Sequence, residues 1–408
     1  MPCSDTLGRR EFLARGAALG CCLAASPLAT PVVMADTPGE NRVVVIILRG
    51  GMDGLDAVRP HADPEFVALR GRKAARDGLD LDGFFALHPG LGGLMPLWRS
   101  GELAVVHAVS TPYRDGRSHF DGQDILETGV APDAAGRIRD GWLNRMLGVI
   151  PGARAETAYA IGRGDMLLTR GDAAVAQWSP DAALSLSPQA EALLGRVMRD
   201  DPLFGGAMDE AIALSRIDRA GAGAVDRAGM MGAMQDTMRA ARGGAGPDSI
   251  ARFAAERLRG PARVAAFSLN GFDSHANQSR VLDRALDRLQ TAILTLRDGL
   301  GPAWGRTTVL AMTEFGRTAR RNGTDGTDHG TAGAMLLAGG ALRGGRVLGD
   351  WPGLAEADLY DRRDLRPTGD VRTPAAWVMR HSFGLDRAML ERAVFPGLEM
   401  GEDPGLMA

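Results

Sequence analysis

Arg42-Val-Val-Val-Ile-Ile-Leu48, running into Arg49-Gly50-Gly51-Met52-Asp53-Gly54, is the stretch on which the fold turns. A strand covered on one face alternates apolar and polar side chains, whereas one covered on both reads as an unbroken, β-branched apolar run. This run predicts a central strand buried on both faces, with Asp53 just past its carboxyl end. Val264–Leu269 and Thr307–Met312 read the same way. The first leads into Gly271-Phe272-Asp273-Ser274-His275. The second leads into Thr313-Glu314-Phe315-Gly316-Arg317 and then Thr327-Asp328-His329-Gly330. Leu103–Val109, Thr157–Ile161 and Ala334–Ala338 add shorter strands. Leu91–Trp98, Trp142–Val149 and Pro374–Ser382 read as helices, and Ser118 reads as the N-cap of a helix to Glu127 stopped by Thr128-Gly129. Ala276–Leu300 is a long amphipathic helix, with Val281, Leu282, Leu286, Leu289, Ile293 and Leu296 on its apolar face. A mostly helical pattern around 181–259 reads as an insertion covering one side of the sheet. Alternating strands and helices predict an α/β sandwich, with residues 36–408 as one domain.

The first 35 residues read as an address. Arg9-Arg10-Glu11-Phe12-Leu13 is a twin-arginine pattern, the apolar stretch Gly16–Leu28 is too short to span as a mature helix, and Val33-Met34-Ala35 offers a cleavage site. Leu19-Gly20-Cys21 loosely matches a lipidation box and is the second reading. The expected location is the periplasm or the medium, with the twin-arginine export machinery as a partner and no stable membrane span. All three cysteines, Cys3, Cys21 and Cys22, lie in this leader, which leaves the rest without a disulfide, thiolate ligand or cysteine nucleophile. Lys73 is the only lysine, so Schiff-base and P-loop chemistry are excluded. Taking Arg9, Arg10, Arg15, Asp5 and Glu11 from 47 basic and 50 acidic residues leaves 44 against 48, which is no footprint for nucleic acid.

Chemistry is thus left to oxygen and imidazole. Asp53, Asp273, His275, Glu314 and His329 all fall after strands, where open α/β sheets bind their ligands. Carboxylates plus imidazoles without sulfur suit one or two divalent cations, Zn, Mn or Mg. A turn or helix-capping role accounts for any one of these carboxylates equally well. Ser118-His119-Phe120-Asp121 is a second constellation. A serine at a helix start meets free N–H groups and the positive dipole end, which suits an anion or a nucleophilic oxygen, though a plain N-cap looks the same. Ser110 and Thr111 are alternative nucleophiles. Arg114, Arg117 and Arg317 are candidates for a bidentate hold on phosphate or sulfate. His107, inside an apolar strand, reads as a hydrogen-bonded core histidine.

Taken in order, several strings carry a resemblance. These are Leu48–Leu55, Ser110–Arg114, Ser118–Asp121, Phe272–Gln278, Thr313–Arg317, Thr327–Gly333 and Gly349–Leu354. The chain resembles a secreted bacterial family known as domain of unknown function fifteen-oh-one, grouped with the alkaline phosphatase and sulfatase superfamily. The resemblance implies an alkaline phosphatase-like mixed sheet sandwiched between helices and a two-metal phosphate- or sulfate-ester site. It aligns Asp53 with the superfamily aspartate after the first strand, and Ser118 falls near its nucleophile. Asp273 and His275 resemble its Asp-x-x-x-His ligands at a shorter spacing. Phe315 stands where the superfamily has a histidine, and the sulfatase cysteine is absent.

Three readings follow. The first is an exported metal-dependent hydrolase of small phosphate or sulfate esters. In it Asp53, Asp273, His275, Glu314 and His329 hold metal, Ser118 attacks, and His119 protonates the leaving group or orients the substrate. The second is a non-catalytic extracytoplasmic binding or assembly protein with a degenerate site. Dinucleotide binding at Gly50–Gly54 is the third, and it lacks the G-x-G-x-x-G order.

Overall fold

The computed structural model describes residues 39–114, 116–134, 137–162, 166–179 and 246–408. The expected leader lies outside them, as does most of the helical insertion. Of that insertion, Pro247–Arg259 is described and is an α-helix.

Nine strands form the main sheet: β1 (Arg42–Arg49), β2 (Leu103–Ser110), β3 (Ala158–Ile161), β4 (Ala176–Trp178), β5 (Val264–Asn270), β6 (Thr307–Thr313), β7 (Gly333–Ala338), β8 (Arg346–Leu348) and β9 (Gly369–Asp370). Their order is β8-β2-β7-β6-β1-β5-β3-β4, with β9 also on β2. β1 lies at the centre, parallel to β5 and β6, and β7 alone runs against its neighbours β2 and β6. The sheet is therefore mixed, and the carboxyl ends of β1, β2, β5 and β6 share one edge with the start of β7.

The unbroken apolar run in β1 follows from burial on both faces. Val44, Ile46 and Leu48 point to one layer, shared with α3 (Pro247–Arg259) and the apolar face of α4 (Gln278–Leu300). Val43, Val45 and Ile47 point to the other, against α2 (Trp142–Val149) and α5 (Arg372–Phe383). α1 (His119–Thr128) leads from the site edge down the second face, where its Leu126 joins that layer. Burying β-branched and aromatic side chains on both faces supplies the main driving force, at ~25 cal/mol per Å² of apolar area. The mixed sheet between two helical layers agrees with the sequence. Pro374–Ser382 lies within α5, which a further helical turn at Leu390–Val394 follows, and two short strands, β8 and β9, come after Ala334–Ala338.

Opposite the start of β7, the β2 register slips so that Ala108 has no partner between His107 and Val109, and Ala108 takes φ +54°. A left-handed alanine in a bulge re-aims the strand end that leads to Thr111 and the loop before α1. Across the described residues no helix is long and apolar enough to cross a membrane.

Candidate metal centre

Four loops and one helix start meet at that sheet edge. The turn after β1 needs its glycine: Gly50 has φ +116°, and a Cβ there would sit 2.4 Å from the Asp273 backbone nitrogen. Arg317, buried after β6, ties the loops together. Its guanidinium donates to the carbonyls of Gly50, Gly51, Thr327 and Phe272 and to Asp273 Oδ1. With its donors spent in this way it offers no fork to a substrate anion, which corrects the expectation for Arg317. Its role is to hold Asp273 in place.

Asp273 then faces three imidazoles. His119 Nε2 lies 3.5 Å from Asp273 Oδ2, His275 Nε2 3.1 Å from Oδ1 and His329 Nε2 3.7 Å from Oδ1. Each ring has its other nitrogen committed. His119 Nδ1 is 2.8 Å from Glu314 Oε1, His275 Nδ1 is 3.2 Å from Asp328 Oδ1, and His329 Nδ1 is 2.7 Å from the Arg117 carbonyl oxygen. Carboxylates and carbonyls only accept, so all three Nδ1 atoms must donate. The three Nε2 lone pairs are left pointing toward Asp273.

Without something positive between them this arrangement is unfavourable. His275 Nε2 and His329 Nε2 are 2.9 Å apart, and buried His119 Nε2 has no hydrogen-bond partner. A divalent cation resolves both problems. Imidazoles that donate Nδ1–H to a carboxylate or carbonyl and offer Nε2 are the usual form of metal-bound histidine. Among the described residues, His119, Asp273 and His329 bring ligand atoms within 4.8 Å of one another, and His275 joins them at the exposed edge. The donor set fits a metal.

Charge and burial shift these groups in different directions. The hydrogen bond to Glu314 raises the His119 pKa, with the nearby Asp273 charge adding to it. Burial pushes the Glu314 carboxyl up, but hydrogen bonds from His119, Gln123 and the Gly50 N–H outweigh it and hold the group low. Burial likewise opposes ionisation of Asp273, and Arg317 overcomes it. Burial lowers the His329 pKa, which favours its neutral ring.

The sequence candidates thus divide. Asp273, His275 and His329 come together, joined by His119, which the sequence cast as an acid or orienting group. Glu314 stands behind His119, and its Oε1 accepts from Gly50 N and Gln123 Nε2 as well. Asp53 does not join them. It is fully buried, and both its oxygens pair with Arg70, at 2.6 and 3.0 Å, while Gln278 Nε2 donates to Oδ2 at 2.6 Å. A carboxylate already neutralised by a buried arginine has little left for a cation. No local sequence pattern announces Arg70 or Gln278, because both reach Asp53 through tertiary contact alone. Ser118 caps α1, its Oγ accepting from Asp121 N at 3.4 Å. Ser110 and Thr111 are buried, and their hydroxyls donate to the carbonyls of Thr111 and Glu314. Arg114 Nη1 turns back onto the carbonyls of Thr111 and Tyr113, and Arg117 contributes its carbonyl to His329. Phe315 stacks on His119 with ring centroids 5.0 Å apart, and its ring lies 5.0 Å from His329.

A family model described as "Protein of unknown function (DUF1501)" matches residues 108–384. No curated protein sequence matches the chain significantly. Among solved structures, the C-terminal periplasmic domain of EcEptC from Escherichia coli is 10% identical, covering 91% of this chain and 94% of that one, with a TM-score of 0.38. The integral membrane lipooligosaccharide phosphoethanolamine transferase A (EptA) from Neisseria meningitidis is 9% identical, covering 92% of this chain and 62% of that one, with a TM-score of 0.38. A TAB5 alkaline phosphatase mutant with bound Mg is 12% identical, covering 74% and 91%, with a TM-score of 0.30.

Proposed function

We propose a metal-dependent ester hydrolase for this chain, which belongs to the DUF1501 family of proteins of unknown function. His119, Asp273 and His329 hold one divalent cation, His275 is a fourth donor at the edge, and phosphate or sulfate monoesters are the substrates. The observation that carries the reading is the convergence of three imidazoles, each with Nδ1 engaged, on one ionised carboxylate. Three nitrogens and one oxygen suit Zn better than Mg, which prefers oxygen ligands. A cation there supplies charge neutralisation for the ester oxygens and the leaving group.

The protein's own groups supply the rest. The amino end of α1, a ten-residue helix, directs N–H groups and a positive dipole end to the anion. Of the three candidate nucleophiles, Ser118 is partly exposed and its hydroxyl accepts within the cap, so its proton remains available for removal. Ser110 and Thr111 are committed to backbone carbonyls inside the fold. Attack by Ser118 Oγ, its proton passing to solvent, forms the bond to phosphorus or sulfur as the ester oxygen departs and takes up a proton from solvent, and water then cleaves the seryl ester. His275, steered by Asp328, stays at the exposed edge as the fourth donor. The twin-arginine leader fits export of an already folded, metal-loaded protein to the periplasm or the medium.

A second reading, a metal-holding binding or assembly protein without turnover, is favoured by Phe315, whose apolar ring packs against the ligand cluster. Metal-loaded protein assayed on 4-nitrophenyl phosphate and 4-nitrophenyl sulfate separates the two. Turnover that Ser118→Ala abolishes with metal retained supports the hydrolase. Full metal occupancy without turnover of either ester supports the binding protein.

A further inference from the structure

Behind the metal cluster lies a cavity of about 550 Å³ that the sequence did not foretell. Four arginines line it, Arg320, Arg321, Arg362 and Arg363, together with the carboxylates Glu65, Asp328 and Glu356 and the leucines Leu69, Leu354 and Leu359. It shares a wall with the cluster. Asp328, which also lines it, holds His275 Nδ1, and Arg363 donates to the His329 carbonyl oxygen at 3.0 Å.

The guanidiniums are not equally committed. Arg363 is paired to buried Asp364 at 3.0 Å, and Arg321 is bonded to Asp325 and Asp56, at 2.7 and 3.3 Å. Arg320 has no ion pair or side-chain hydrogen bond among the described residues. Arg362 has only a long contact of 3.7 Å to Glu356, both groups about three-quarters exposed, and such a pair contributes little. Arg362 is also presented by an unusual turn. Asp361 and Arg362 are consecutive non-glycine residues at φ +52° and +54°, a conformation that side chains disfavour and that the bridge between Tyr360 and Asp364 holds in place.

We infer that this cavity binds an organic anion, with Arg320 and Arg362 gripping its charged group and the lining leucines edging its apolar body. Resting on the hydrolase reading, the same cavity would take a second anionic group of the substrate, so that compounds carrying two separated anionic groups are preferred to simple monoesters. Guanidinium forks recognise phosphate, sulfate and carboxylate alike, so the shared chemistry is the anion.

The test uses 1-naphthyl phosphate as probe in titration calorimetry on the full exported chain, with metal removed by chelation so that the cluster does not contribute. The expected result is saturable one-to-one binding, weakened about tenfold or more in the Arg320→Ala/Arg362→Ala variant and by rising salt. Circular dichroism and metal uptake of the arginine variant, both expected to match the parent, show that it folds. The charge-conserving Arg320→Lys/Arg362→Lys variant should recover part of the affinity. No binding, or equal binding by the parent and a folded Ala variant, overturns the cavity whatever the metal site does. Chelator-resistant binding that Arg320 and Arg362 control upholds it even if the metal reading fails.

Discussion

His119 is held from behind by Glu314, which fixes Nδ1 as a donor and turns Nε2 toward Asp273. Replacing Glu314 with Gln keeps the shape but removes the charge that fixes the ring, so metal affinity should fall by about 10- to 100-fold. Isothermal titration with Zn would measure it, and unchanged affinity would show that Glu314 plays no such part. Asp273→Ala, by contrast, should empty the site. Asp53 gives the opposite test. Asp53→Asn leaves Arg70 buried without its countercharge, so we expect a stability loss of about 3–5 kcal/mol with metal stoichiometry unchanged, read by denaturant unfolding and metal analysis. Metal loss in a folded Asn variant would return Asp53 to the ligand set. Two buried histidines away from the cluster should contribute to acid sensitivity. Burial pushes His107 down to about 4 against an ordinary 6.5, and burial together with Arg59 does the same to His88. The unfolded chain takes up these protons below about 6.5 and the folded chain only near 4, so stability is full above 6.5 and falls through that window. The slope is at most about 1.4 kcal/mol per pH unit for each histidine. His107→Leu should flatten that slope when unfolding free energy is measured from pH 7 to pH 4, and an unchanged slope would contradict the assignment.

Elements bring these residues together through backbone contacts that tolerate no side chain. Gly50→Ala would drive a Cβ into the Asp273 peptide, and Gly316→Ala would meet the Ala332 carbonyl oxygen at 1.8 Å. Both should destabilise the fold, and Gly50→Ala should lower metal occupancy in whatever folded protein remains, measured on the soluble fraction. The strands and long helices that frame the site were legible in the sequence. β1 is an unbroken apolar run between its two arginines, β5 and β6 are mostly apolar, and Leu282, Leu286, Leu289, Ile293 and Leu296 mark the face of α4 that is buried. Which residues after those strands meet was only partly legible. Asp273 and His329 are separated by α4, β6 and the loop after it, and the pattern says that both are at the edge without saying which atoms converge. Arg317 carried the same ambiguity. An arginine after a strand suits an anion or a scaffold equally well, and only its five acceptors decide.

At the scale of the molecule, one edge of a mixed sheet holds a candidate metal cluster and, behind a shared wall, an arginine-lined cavity. His119, Asp273 and His329 are the residues proposed to hold one divalent cation. Metal affinity should decline as the pH drops through the raised pKa of His119, because a proton and a cation compete for the same Nε2. The most direct measurement is metal content by inductively coupled plasma mass spectrometry, on the exported protein purified without chelator or added metal and on its Asp273→Ala and His329→Ala variants. About one equivalent of a divalent transition metal in the parent, lost in both folded variants, is the predicted result. A parent that stays empty after exposure to Zn and Mn, or variants that keep the metal, would contradict the account.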